Sequence, residues 1–175
     1  EQQCFGGANN VNLTAGLAVG SHPMDTFLPT LGVRVRHVDN VGFIANTTTF
    51  NVINHVSWVS QGDPDNKLIF LNNSGVSFAY YDADGVTKLT TESFSIWSDP
   101  TTGIPPGTVR VIARDINGNT LVDRLDTDGT KHLVDITMTG GVKIHELVFA
   151  NSTSAVDLVT VLPYCIDKDT DGDGI

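Results

Sequence analysis

The sequence predicts an all-β, antiparallel β-sandwich of roughly nine to eleven strands. Three observations carry this. Short apolar or alternating runs recur from residue 11 to residue 162. Turn signals rich in Gly, Asn, Asp and Pro separate them at regular spacing, as in sandwiches and barrels. No run has the period and length of a helix beyond a turn or two.

Taken in order, residues 11–19 form a short, mostly apolar run. Residues 31–38 alternate, with Leu31, Val33 and Val35 against Arg34 and Arg36, the pattern of a half-buried strand. Residues 49–60 put Phe50, Val52, Val56 and Trp58 on one parity. The turn Gln61-Gly-Asp-Pro-Asp-Asn66 precedes a run at 67–71, and Asn72-Asn-Ser-Gly75 precedes one at 76–82. After Asp82-Ala-Asp-Gly85 comes 86–97, then a Pro-rich loop over 99–107. Residues 108–114 and 120–125 flank Asn117-Gly118, the strongest short-range hairpin signal. Further runs at 131–138, 142–149 and 155–162 end before Pro163. No internal repeat or linker interrupts 1–163, so the expectation is one sandwich domain over 1–163 and a distinct segment over 164–175.

Composition narrows the function classes. At 40% hydrophobic and 17% charged, the 175 residues can bury a core and are not a disordered polyampholyte. A net charge of −10 argues against nucleic-acid binding and against docking on an anionic membrane. No apolar run approaches the ~18 residues of a spanning helix, so membrane insertion is not expected. Cys4 and Cys165 sit near the two ends of the sandwich. A disulfide between them would imply an oxidising, extracellular setting; two free thiols, or a bridge to another chain, are the alternatives. Glu1-Gln-Gln-Cys4 reads as a mature N-terminus after cleavage or as a cut boundary. Sequons at Asn12, Asn46, Asn72 and Asn151 permit glycosylation.

The last nine residues, Asp167-Lys-Asp169-Thr-Asp171-Gly-Asp173-Gly-Ile175, carry four carboxylates on alternate positions. An oxygen-only cluster suits a hard divalent cation, above all calcium. With Asp169 at loop position 1, Asp171 falls at 3, Asp173 at 5 and Gly174 at the turn position 6. Asp167, Asp169, Asp171 and Asp173 are therefore the candidate metal ligands. The expectation is the first part of a calcium loop whose remaining ligands lie further on. A solvated acidic tail is the plain alternative.

No catalytic constellation assembles. The five histidines, His22, His37, His55, His132 and His145, show no metalloprotease spacing, and no nucleophile elbow occurs. His145 and Glu146 are adjacent on an expected strand, which would turn them to opposite faces. A binding face is the better reading. Strand parity turns Phe78, Tyr80, Phe94, Ile96, Val109, Val111 and Ala113 inward, leaving Tyr81, Trp97, Arg110 and Arg114 outward. Rings that stack on sugar C–H faces beside guanidinium donors make a glycan platform. The alternative has Trp97 capped by the 99–107 loop and the arginines paired with Asp.

Phe94-Ser-Ile-Trp-Ser-Asp99 with Thr108-Val-Arg-Val-Ile-Ala-Arg-Asp-Ile-Asn-Gly-Asn-Thr-Leu-Val122 resembles the central hairpin of galactose-binding-like jelly rolls. Gly141-Val-Lys-Ile-His-Glu-Leu-Val-Phe149 with Ala155-Val-Asp-Leu-Val-Thr-Val161 is similar to that superfamily's last two strands. The resemblance implies a jelly roll used as a carbohydrate-binding or adhesive module. Asp169-Thr-Asp-Gly-Asp-Gly-Ile175 resembles a thrombospondin type 3 repeat, and more loosely a dockerin loop. That resemblance implies a calcium-bearing stalk after a globular head. The expectation is thus a non-catalytic, secreted cell-surface module that binds a glycan or surface polymer and leads into a calcium-binding stalk. The rival is a self-associating subunit or spacer of an extracellular filament or layer, with no small ligand.

Overall fold

A computed structural model of the chain describes residues 2–5, 13–14, 16–54, 67–72, 74–99, 109–128, 130, 132–150, 155–156 and 164–167. For 2–5, 95, 97, 99, 155–156 and 164–167 the description is of the backbone. In chain order the elements begin with β1 (Gln2–Phe5), β2 (Gly20–Pro23), the helical turn α1 (Leu28–Leu31), β3 (Val33–His37) and β4 (Thr49–Asn54). Then come β5 (Lys67–Phe70), β6 (Gly75–Tyr80), β7 (Ser93–Asp99), β8 (Val109–Arg114) and β9 (Thr120–Asp126). Last are β10 (His132–Thr137), β11 (Glu146–Ala150), β12 (Ala155–Val156) and β13 (Tyr164–Asp167).

All pairings are antiparallel. One sheet runs β10-β7-β12-β5-β4-β2, the other β3-β6-β11-β8-β9, and β1 pairs with β13 in a separate two-stranded ribbon. The architecture is an all-β sandwich. Alternation explains it: Val33 and Val35 of β3, Phe78 and Tyr80 of β6, Val109, Val111 and Ala113 of β8, and Leu147 and Phe149 of β11 turn to one face. They meet Phe50 and Val52 of β4, Phe94 and Ile96 of β7, and Val134 and Ile136 of β10. Phe78 and Tyr80 touch Phe94 across the sandwich, with ring centroids 6.1 and 5.5 Å apart. Each such side chain contributes roughly 1.5–3 kcal/mol by leaving water.

Several boundaries differ from the sequence expectation, for local reasons. The run at 31–38 yields its first two residues to α1 and its cap. Pro29 opens that turn, and Gly32 closes it at φ 65, donating its N–H to the Leu28 carbonyl at 3.1 Å. The run at 86–97 becomes a strand only from Ser93. The Asp84 carboxylate takes up the N–H groups of Val86 and Thr87, each at 2.8 Å, and holds a turn there. The described part of 11–19 contains no strand; the neighbouring strand is β2 at Gly20–Pro23. Residues 142–145 stay out of β11, which starts at Glu146. β1 and β13 were not expected, and β13 carries paired backbone past residue 163 to Asp167. Their register sets Cys4 directly opposite Cys165.

Candidate functional site

The outer face of the five-stranded sheet carries the chemistry. Register builds it in cross-strand rows. Arg34, Ala79, Glu146 and Arg114 stand abreast on β3, β6, β11 and β8; Arg36, Ser77, Val148 and Ile112 form the next row. These residues alternate with the core set, so they leave the sandwich on its far side. The loop between β3 and β4 folds over this face. Val38 and Phe43 pack on Ile112, Val148 and Ala150 as a second small core. One carboxylate oxygen of Asp39 accepts the N–H groups of Val41, Gly42 and Phe43 at 3.0, 2.8 and 2.9 Å. Those bonds keep the Asp39 carboxyl below its ordinary range. Phe43 itself sits at φ 54, a left-handed conformation that costs a bulky residue of order 1–3 kcal/mol.

Arg114 ties the loop to the sheet. It is 9% exposed. Nη1 donates to the Phe43 carbonyl at 2.9 Å and to Glu146 Oε1 at 2.8 Å, and Nη2 donates to the Gly42 carbonyl at 2.9 Å. Glu146 Oε2 accepts from the Ser77 hydroxyl at 2.6 Å. The buried pair is thus matched on both sides.

Beside it opens a cleft of about 210 Å³, lined by Arg36, Ile44, Ala45, Tyr81, Lys88, Arg114, Asp115, Gly118, His145 and Glu146. That is below the ~300–1,000 Å³ of sites for drug-sized ligands, so it suits a single ring or a chain end. His145 Nδ1 lies 2.8 Å from the Leu89 carbonyl. A carbonyl only accepts, so Nδ1 carries the proton. Burial pushes the imidazole below its ordinary range, countered in part by that bond, so the ring is neutral and Nε2 offers a lone pair. Asp115 is held in the 115–119 turn by the N–H groups of Asn117 and Asn119 and the Asn119 side chain. Those bonds lower its pKa.

No family model matches the chain, and neither does any curated protein. The reading of the cleft therefore rests on its own geometry.

Of the four residues expected as a platform, the structure brings together Tyr81, Arg110 and Arg114 on the five-stranded sheet. Trp97 belongs to β7 of the other sheet, so the four do not share a face. Tyr81 is 9% exposed rather than open to solvent. The Arg34 guanidinium lies 4.3 Å from its ring centroid, and His145 stands against it edge-on at 5.2 Å. Arg110 is paired with Asp123 at 2.6 Å and sits 5.0 Å from the Phe43 ring centroid. In place of a flat stacking surface, Tyr81 and Arg114 line the cleft. His145 and Glu146 both line it, against the expectation of opposite faces. His145 precedes β11, so strand alternation does not govern it. Sequence reasoning also missed Arg36 and Lys88. The alternation of 31–38 did mark Arg36 as outward, the one available signal.

Among the expected metal ligands, Asp167 ends β13. Asp169, Asp171 and Asp173 lie outside the described residues. Among the described residues no group of His, Cys, Asp and Glu side chains is placed to hold a metal ion.

Proposed function

We propose that this chain is a non-catalytic, secreted cell-surface module whose cleft binds a glycan, leading into a calcium-binding stalk. One observation carries the reading. Polar groups of both kinds converge beside apolar surface in a cleft sized for one sugar ring. Arg36 and Lys88 donate, His145 Nε2 accepts, and Tyr81, Ile44 and Ala45 supply apolar contact. The catalytic alternative has less support, because Glu146, the central carboxylate, has both oxygens committed to Arg114 and Ser77.

The jelly-roll reading is supported by strand order. Of eight consecutive strands, β5-β12-β7-β10 lie in one sheet and β6-β11-β8-β9 in the other. This is the nesting of two Greek keys. The filament alternative has weaker support. The outer edge strand β9, unpaired on its far side among the described residues, carries Asp123, Arg124 and Asp126, charges that discourage edge pairing.

A glycan array tests the reading. The expected result is a defined set of bound glycans, with the signal lost in Ile44→Glu, which places a charge at an exposed cleft position. No bound glycan from the unaltered protein defeats it. For the stalk, Asp169, Asp171 and Asp173 supply calcium ligands, with Asp167 leading in. Calcium titration of a chain extended past Ile175 is expected to show binding that Asp171→Asn weakens; no binding in the extended chain defeats that part.

A further inference from the structure

We propose that the cleft selects a sugar bearing a carboxylate, a uronate, over neutral sugars; this rests on the glycan reading above. Charge inside the cleft is unbalanced. Of its two carboxylates, Glu146 is neutralised by Arg114 and Ser77, and Asp115 is bound into its own turn. Arg36 and Lys88 have no carboxylate partner among the described residues. Among the described residues the Arg36 guanidinium reaches only the Met24 sulfur, at 3.9 Å from Nη1, and its buried Nε meets no acceptor. Lys88 Nζ has a long contact of 3.4 Å to the Ile116 carbonyl.

Elsewhere on this face the arginines are answered. Arg34 pairs with Asp25 at 2.7 Å, Arg110 with Asp123 and Arg114 with Glu146. The unanswered pair converges on the cleft. A guanidinium and an ammonium without counter-charge are met by a carboxylate, which a guanidinium can take in a two-bond fork. The ligand's hydroxyls then donate to His145 Nε2, and its C–H face lies on Ile44 and Ala45. A molecule of net charge −10 repels polyanions at long range. The fit is therefore to a single carboxylate at a chain end, not to a densely charged polymer.

Calorimetric or NMR titration of the intact protein with galacturonate and glucuronate tests this. The controls are the methyl esters of the same sugars, galactose 6-sulfate and acetate. At least one uronate is expected to bind ten-fold or more tighter than its ester, and Arg36→Gln to bring that ratio near one. Lys88→Gln, at an exposed position, is expected to weaken the uronate at least three-fold, and serves if Arg36→Gln fails to melt as a folded protein. Ester and acid bound equally would overturn the inference and leave glycan binding standing. So would a tighter sulfate ester, acetate binding as well as the uronates, or uronate affinity unchanged in Lys88→Gln. No sugar bound in these titrations, with no glycan bound on the array, would overturn both.

Discussion

Arg114 and Glu146 lie abreast in register, with side chains 11% and 15% exposed. Removing one member of such a pair leaves the other charged and largely dry, which costs about 3–5 kcal/mol. Arg114→Ala also strips donors from the Gly42 and Phe43 carbonyls. The expected outcome is a loss of about that size in urea unfolding, with a loosened 39–45 loop; a loss under 1 kcal/mol would contradict the placement. A second residue sets a pH dependence. His132 Nε2 meets Asp126 at 2.6 Å, and Nδ1 meets the Thr130 carbonyl at 2.6 Å. Burial lowers its pKa, but the Thr130 bond and the Asp126 and Asp128 carboxylates outweigh that and raise it above 6.5. A raised folded pKa means stability present in full below the ordinary value and lost as pH rises through the folded one. The stability difference between the protein and His132→Gln should therefore be larger at pH 5.5 than at pH 8, as thermal melts at the two pH values would show. His37 and His145 run the other way. Burial lowers both, countered in part by carbonyl bonds, so their contribution is present above the ordinary value and lost on acidification.

At the scale of elements, β6 is the strand that pairs β3 with β11, and its first residue decides how closely it can lie. Gly75 sits at φ 143, and a Cβ there would stand 2.5 Å from the Phe149 carbonyl oxygen and 2.7 Å from Ala150 Cα. Gly75→Ala combines backbone strain of about 1–3 kcal/mol with overpacking of similar size. A loss of about 3–5 kcal/mol in denaturant unfolding is expected, and a neutral substitution would show that the strands can part. The inward faces of β3, β4, β6, β7 and β8 were legible in the sequence because period-two alternation records burial directly. Strand ends were not, because turn carboxylates such as Asp84 and helix caps such as Gly32 act through a few bonds that periodicity ignores. The site was half legible for the same reason. Parity turned Tyr81, Arg110 and Arg114 outward. It could not say that the 39–45 loop would cover the outer face, or that Arg34 would occupy Tyr81. Those contacts join residues far apart in sequence.

At the scale of the whole molecule, the β1–β13 ribbon joins the two ends of the chain outside both main sheets. Its register places Cys4 opposite Cys165. Directly opposed residues of an antiparallel pair have Cα atoms about 4.5–5.5 Å apart, within the 4.4–6.8 Å that a disulfide spans. A four-residue ribbon is marginal by itself, so a covalent link there would convert weak pairing into a fixed junction between the sandwich and the acidic segment beyond Asp167. The loop it closes is about 160 residues, for which the chain-entropy account gives about 5 kcal/mol. Non-reducing peptide mapping should recover the Cys4 and Cys165 peptides as one species, and reductant or Cys4→Ser should lower the urea midpoint by a matching amount. If both thiols of the unfolded, unreduced protein react with a thiol reagent, the ribbon is held by backbone pairing alone and the extracellular assignment loses its redox argument. If they do not, and Cys4→Ser also leaves the midpoint unchanged, the link exists without bearing on stability. Its role would then be confined to holding β13 against β1, which proteolysis at the ribbon would reveal as a Cys4→Ser-dependent cut.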